Sequence, residues 1–332
     1  MGERSLYHRE NVRGRVCHLS TDSLSSGSGG RRMNRVLVIK LGALGDFVQA
    51  TGAFADIRAH CKGAHITLLT TKAMLPLAAS APFFDAIAID ERRPFWDVPY
   101  LMRLRSKLQG FKDVIDLQTN SRTGWYFWLA GRPNWSGIAS GCSHPHSNPN
   151  RNAMHTIDRL AEQLEMAGID ATHAPDVRYA AEDSRELLKN HDLKNFVALI
   201  PGGSAGRPEK RWPHFAELAA LIKAKGYQVA LIGGPDEADL IRDLSVATGA
   251  YNLCGKTSIN QLVDMFPRAR YVIGNDTGPM HIAAAAGAKG AVLFGSGSNP
   301  ALCAPRSKHI AVLQAPDIRT ITPQSVLETL KL

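Results

Sequence analysis

Residues 36–46 read VLVIKLGALGD, and the fold class turns on them. VLVI is an unbroken β-branched and aliphatic run, the composition of a strand covered on both faces. LGALGD follows as a turn whose two glycines let the backbone come close to a neighbour, and FVQATGAFADIRAH (47–60) continues as a helix. The order then recurs: HITLLTT (65–71), AIAID (86–90) and DVIDLQ (113–118) read as strands, with helical stretches at MLPLAAS (74–80) and TGWYFWLAG (123–131). Strands alternating with helices pair in parallel through right-handed crossovers.

The pattern lapses over 171–195, which reads as a domain boundary with a linking helix, and restarts at FVALIPG (196–202). WPHFAELAALIKAKG (212–226), YQVALIGG (227–234), DEADLIRDLSVAT (236–248), SINQLVDMFPRA (258–269), RYVIG (270–274) and AVLFG (291–295) continue the alternation. The expected fold is therefore α/β, with two doubly wound Rossmann-like domains, 34–180 and 181–332. They face each other across a cleft at the carboxyl ends of their strands, where open sheets bind ligands. TPQSVLETLKL (322–332) reads as a terminal helix packing back across that cleft. Residues 1–33 end in the Ser/Gly run STDSLSSGSGGRR, which cannot bury a core, so this extension is expected to be disordered. It has no apolar h-region, and Met33 stands directly before the first strand, which suits an upstream start or an added leader rather than a secretory signal.

The chain has 332 residues, 44% of them hydrophobic, enough for two domains. No apolar run approaches the roughly 20 residues that cross a bilayer. The formal charge of +9 suits an anionic partner. The five cysteines form no CxxC pair, which argues against a zinc site and fits a reducing cytosol. The HPH at 144–146 lacks a third ligand, so no metal site is read there.

Each candidate motif falls at a strand end. Asp46 either caps the following helix or projects a carboxylate into the cleft to accept a proton. PGGSAGRPEKRWP (201–213) crowds Ser204, Arg207, Lys210 and Arg211 ahead of a helix. Cations there oppose the helix dipole, which points to a bound anion rather than to a solvated basic loop. In GNDTGPMHIAAAAG (274–287), Pro279 suits an early helical position, and the amides of Thr277 and Gly278 would receive a phosphate. The alanines allow close packing. His281 reads as buried and hydrogen-bonded, with direct ligand contact as the alternative, and Asp276 either touches the ligand or caps the helix. In GGPDEAD (233–239), Asp236 or Glu237 is placed to bind ribose hydroxyls, with capping the other use of Asp236. On the N-terminal side, Asn120, Ser121 and Arg122 follow a strand, with Arg132, Arg151, His155 and Arg159 beyond. Arginines facing a cleft suit carboxylate or phosphate groups of a second substrate.

VLVIKLGALGD, the KRWP after a Gly-rich turn, and GKTSINQLVDMFPRARYVIGNDTGPMHIAAAAGAKGAVLFG (255–295) together resemble the family 9 glycosyltransferases. These are the ADP-heptose:lipopolysaccharide heptosyltransferases, and the resemblance runs over nearly all of 35–332. It implies a GT-B fold and inverting transfer of a heptose from an ADP-sugar donor, with no cofactor or essential metal. It makes Asp46 the catalytic base with Gly45 beside it and Lys40 nearby, Lys210 a ligand of the diphosphate, and Asp276, Thr277 and Gly278 the donor signature. The implied partners are a nucleotide-sugar, an anionic glycolipid acceptor and the inner membrane surface, without nucleic acid. The implied location is cytoplasmic, peripheral on the inner face of that membrane. Another nucleotide-sugar or acceptor, or a non-catalytic nucleotide-sugar binder on the same fold, remains open, whereas the missing GxGxxG disfavours a nicotinamide dehydrogenase.

Overall fold

The computed structural model describes residues 34–203 and 208–332; the readings made for 1–33, Ser204 and Arg207 lie outside the described residues. The first sheet is built from β1 (Arg35–Ile39), β2 (His65–Thr70), β3 (Ala86–Ile89), β4 (Asp113–Asp116), β5 (Asn134–Gly137) and β6 (His144–Pro145), in the order β3-β2-β1-β4-β5-β6. The second comprises β7 (Phe196–Ile200), β8 (Gln228–Leu231), β9 (Tyr251–Asn252), β10 (Tyr271–Asn275), β11 (Gly290–Phe294) and β12 (Ile310–Gln314), in the order β12-β11-β10-β7-β8-β9. All pairings are parallel. Renumbered from its own first strand, the second sheet repeats the first. Each therefore reverses direction once, between β1 and β4 and between β7 and β10, and a ligand crevice opens at such a switch point.

The doubly buried runs explain the central strands: Leu37, Val38 and Ile39 in β1 and Val197, Ala198 and Leu199 in β7 are fully buried. The edges follow a weaker rule. β6 and β9 have two residues each, and β12 buries only its first residue, Ile310. Such segments carry little periodic signal.

Among the described residues, three apolar clusters fill the interior. One lies under the helices Val98–Leu108 and Ser121–Leu129 on one face of the first sheet, and a second lies on the outer face of the second sheet. The largest runs without a break from Phe47, Phe54 and Ile115 to Met280, Ile282 and Phe294, so the two sheets share a core. The connector from the first sheet crosses the helix Thr51–His60. There the buried Asp56 carboxylate accepts hydrogen bonds from the Thr172 and His173 amides at 3.0 and 3.2 Å.

The terminal helix Pro323–Leu330 corrects the expectation that it crosses the cleft. It packs on the helix Phe215–Ala224 and on β11 and β12, where Val326, Leu327 and Leu330 join the core of the second sheet. Its apolar stripe is consumed there, leaving none to hold a second domain.

Candidate active site

The two Gly-rich turns meet. In the turn after β1, Gly42 has a φ of +113° that requires glycine, and the chain then enters the helix Leu44–Gln49. β10 ends in Asn275 and leads into the helix Gly278–Ala285. These two helices, one from each sheet, pack against each other at glycines. A Cβ on Gly45 would stand 2.7 Å from Cδ2 of His281, and one on Gly278 would stand 2.9 Å from Cβ of Leu44. Neither clash is relieved by a flexible side-chain end, so both positions exclude larger residues. His281 is buried, and its Nδ1 shares a hydrogen bond with Gln49 Nε2 at 3.2 Å, while the same amide donates to the Cys303 carbonyl at 3.2 Å.

On the C-terminal wall, Asn275 is the organiser. Its buried Nδ2 donates to the carbonyls of Pro201 and Gly202 at 2.9 Å each, and its Oδ1 accepts from the Trp212 amide at 3.1 Å. That ties the turn after β7 and the KRW segment to the end of β10. Lys210 Nζ donates to Asp276 Oδ2 at 2.8 Å, with His281 Nε2 3.9 Å from the other oxygen. Burial pushes the Asp276 carboxyl up, but His281, Lys210 and Ser298 outweigh it and hold it at about 2. Asp276 therefore does not cap the following helix. The N-cap is Thr277, which makes no side-chain capping bond, and Pro279 sits in the first turn. The amides at this helix end keep their capacity to bind an anion.

The two acids after β8 separate. Asp236 is exposed, whereas the Glu237 carboxylate folds back to accept from the Gly234 amide at 2.8 Å and lies where a side chain on Gly202 would run into it. Glu237, not Asp236, reaches the end of β7.

On the N-terminal wall, Ala43 is the N-cap of Leu44–Gln49 without a side-chain bond, and Asp46 lies in the first turn, half-buried. Asp46 has no capping duty. Lys40 is 4% exposed and donates from Nζ to the Leu117 carbonyl at 3.1 Å, bridging the ends of β1 and β4. Burial pushes its ammonium down, Asp46 and Asp116 pull it up, and Arg159 pushes it further down, with a net fall. Register pairs Ile39 with Asp116, which places the fully buried Asp116 beside Lys40 at the switch point. Burial raises the Asp116 carboxyl to about 6, against hydrogen bonds from Thr123 and the Thr119 and Gln118 amides and the charge of Lys40. Arg151 donates to Thr119 Oγ1 at 2.9 Å, and Arg159 brings a second guanidinium within electrostatic reach of both Arg151 and Lys40.

The acceptor-side candidates divide. Asn120 caps the helix Ser121–Leu129, accepting from the Thr123 amide at 2.9 Å. Arg122 donates to the Tyr126 and Tyr100 hydroxyls and the Arg93 carbonyl at 2.6–2.8 Å, and both tyrosines donate to Asp90. Its guanidinium is held by the protein and lies over the Phe95 ring rather than standing open in the cleft. His155 joins the domains: Nδ1 accepts from the Ile157 amide at 3.1 Å, so Nε2 carries the proton and donates to the Ala304 carbonyl at 2.9 Å. Burial lowers its pKa, which agrees with that neutral form. Arg306 grips Asp158 beside it through both guanidinium arms. Arg132 stacks on Trp128, and both are exposed.

The two walls converge at Cys303. Burial raises its thiol to about 11, Asp276 and Asp46 push it further up and Lys210 pulls it down. Sequence reasoning missed Asn275, Gln49, Asp116 and the contacts of residues 302–306, whose partners are distant in the chain. Among the described residues no group of three or more His, Cys, Asp or Glu is arranged to hold a metal, and no helix is long and apolar enough to cross a membrane.

Two doubly wound sheets sharing a cleft, each presenting a Gly-rich turn and an uncapped helix end, define a GT-B glycosyltransferase architecture. Residues 102–327 match Glycosyltransferase family 9 (heptosyltransferase), and the chain belongs to that family. Over 311 residues it is 22% identical to the lipooligosaccharide heptosyltransferase 2 of Haemophilus ducreyi, covering 85% of this chain and 89% of the relative. It is 31% identical over 159 residues to the lipopolysaccharide heptosyltransferase 2 of Escherichia coli, covering 40% and 45%. Among solved structures, a family 9 glycosyltransferase of Veillonella parvula superposes with a TM-score of 0.79 at 22% identity, covering 90% of this chain and 97% of that one. An Escherichia coli heptosyltransferase with ADP gives 0.71 at 21% identity, covering 90% and 99%.

Proposed function

We propose that the enzyme transfers a heptose from ADP-heptose to a lipopolysaccharide core or related glycan acceptor, with inversion. The carrying observation is the close packing of the helix Leu44–Gln49, which holds Asp46, on the helix Gly278–Ala285 at Gly45 and Gly278, and it supports a base on one helix working with a donor held at the start of the other. In this reading Asp46 takes the proton of an acceptor hydroxyl as its oxygen bonds to the anomeric carbon, and the bond from that carbon to the diphosphate breaks. Lys210, steadied by Asp276, and the amides at Thr277 and Gly278 meet the charge that builds on the departing ADP. His281 positions the helix that carries them, Lys40 holds the electrostatics around Asp46, and Glu237 takes the ribose. Arg151 and Arg159 face an anionic acceptor, with His155 bracing that wall. No cofactor takes part in these steps. The relatives named for lipopolysaccharide and the structure solved with ADP support the donor and acceptor. Such an acceptor places the protein in the cytoplasm, at the inner face of the inner membrane.

The test is product formation. Incubation with ADP-heptose and a heptose-deficient lipopolysaccharide core is expected to give an acceptor one heptose heavier by mass spectrometry, and calorimetry is expected to show ADP binding. Binding of NADH without ADP, or turnover of another nucleotide-sugar alone, would contradict the reading.

A further inference from the structure

The outer surface of the N-terminal domain carries an apolar group that transfer chemistry does not use. The helices Val98–Leu108 and Ser121–Leu129 lie side by side over one cluster of the first sheet, burying Tyr100, Leu104, Tyr126 and Phe127. Their opposite faces are exposed: Val98, Met102 and Arg105 follow helical spacing on one, and Ser121, Trp125 and Trp128 do so on the other. Trp96 is 84% exposed, Met102 70% and Trp125 65%. The Phe95 ring lies 6.4 Å from that of Tyr126, which ties the loop bearing Trp96 to the second helix. Large apolar side chains left in water on two neighbouring helices and the loop before them mark an interaction surface.

Its charge selects the partner. Residues 91–108 and 121–132 hold seven Lys and Arg against two carboxylates, more than half of the formal excess of +9. Arg93 pairs with Asp97 and Arg103 with Glu91, while Arg92, Arg105 and Arg132 have no acid partner among the described residues. Arg132 lies 3.9 Å above the Trp128 ring. Exposed tryptophans beside unpaired arginines match the boundary between headgroups and acyl chains, and they complement an anionic surface.

We propose that this face docks on an anionic lipid bilayer, with Trp96, Met102, Trp125 and Trp128 entering the interface and Arg92, Arg105 and Arg132 meeting the headgroups. The helix Ser121–Leu129 starts beyond the carboxyl end of β4, at the cleft rim, beside a groove of about 190 Å³ lined by Asn120, Trp125, Trp128 and Ile138. A bilayer held there presents the head of a lipid-linked glycan to the cleft. That orientation rests on the glycolipid acceptor proposed above, whereas the docking does not.

The experiment is co-sedimentation of the full chain with phosphatidylglycerol-containing vesicles and with phosphatidylcholine vesicles, paired with quenching of tryptophan emission by brominated lipid. Wild type is expected to partition at least about tenfold more strongly onto the anionic vesicles and to be quenched. Both Trp96→Ser/Trp125→Ser/Trp128→Ser and Arg92→Glu/Arg105→Glu are expected to lose about tenfold or more, with ADP binding unchanged. Absence of wild-type binding, or equal binding by the variants, would overturn the proposal. So would a concentration-dependent dimer dispersed by the tryptophan variant, which would make this a self-association face. Because the readout needs neither donor nor acceptor, docking and transfer fail independently.

Discussion

Gly45→Ala probes the contact on which the site depends. The added methyl would stand 2.7 Å from Cδ2 and 3.0 Å from Nε2 of His281, and the ring cannot swing away without breaking its 3.2 Å bond to Gln49. Restoring an ordinary contact of about 3.4 Å therefore moves one helix by roughly 0.7 Å relative to the other. Overpacking of this kind costs about 1–3 kcal/mol. The larger effect falls on geometry. A misplacement near 1 Å costs about a hundredfold in rate, so kcat/KM is expected to fall about 10- to 50-fold. Steady-state transfer kinetics and urea unfolding, run on the same preparation, separate the two effects. Unchanged kcat/KM in the folded variant would refute the reasoning, whatever happens to stability, because the two helices would then not set the distance between base and donor.

Other substitutions test single groups. Lys210→Ala is expected to weaken ADP binding by about 1.5–3 kcal/mol in calorimetry, the worth of a hydrogen bond to a charged group. Glu237→Ala is expected to weaken ADP binding by about tenfold or more while Asp236→Ala leaves it within about twofold, because only Glu237 is folded toward the end of β7. Asp116→Asn addresses pH. With its folded carboxyl raised to about 6 from an ordinary 3.8, Asp116 binds its proton more tightly when folded, so its contribution to stability is present in acid and lost as pH rises through that window. Urea midpoints at acid and alkaline pH are expected to show the variant gaining roughly 1–3 kcal/mol on wild type as pH rises, and equal differences at both would count against the buried acid.

The sequence carries the central frame because β1, β7, β10 and β11 are buried on both faces and announce themselves as apolar runs, each followed by a turn. It hides the edges, since β5, β6, β9 and β12 are short or half-exposed and are held by their neighbours rather than by their own pattern. At the site the split is similar. Asp46, Lys210 and the Asp276–Gly278 turn are legible because they sit at strand ends in a Gly-rich context. The choice between Glu237 and Asp236 is not, because the room for the Glu237 carboxylate comes from Gly202, in the turn after β7. Nor is the restraint of Arg122 by Tyr100, Tyr126 and Arg93, or the bond from His155 to Ala304, since both depend on residues that only folding brings near. Polar residues with distant partners have no local signature. The terminal helix teaches the same point, for its apolar stripe says that it packs but not on which domain.

The central claim is that the half-buried Asp46, free of capping duty, takes the acceptor proton opposite a diphosphate held by the other domain. Asp46→Asn keeps the shape and removes the base. Single-turnover transfer with ADP-heptose is expected to slow by about 10²- to 10⁴-fold, the usual weight of a positioned base, while ADP affinity and unfolding stay at their wild-type values. Turnover at the wild-type rate in this variant would contradict the account.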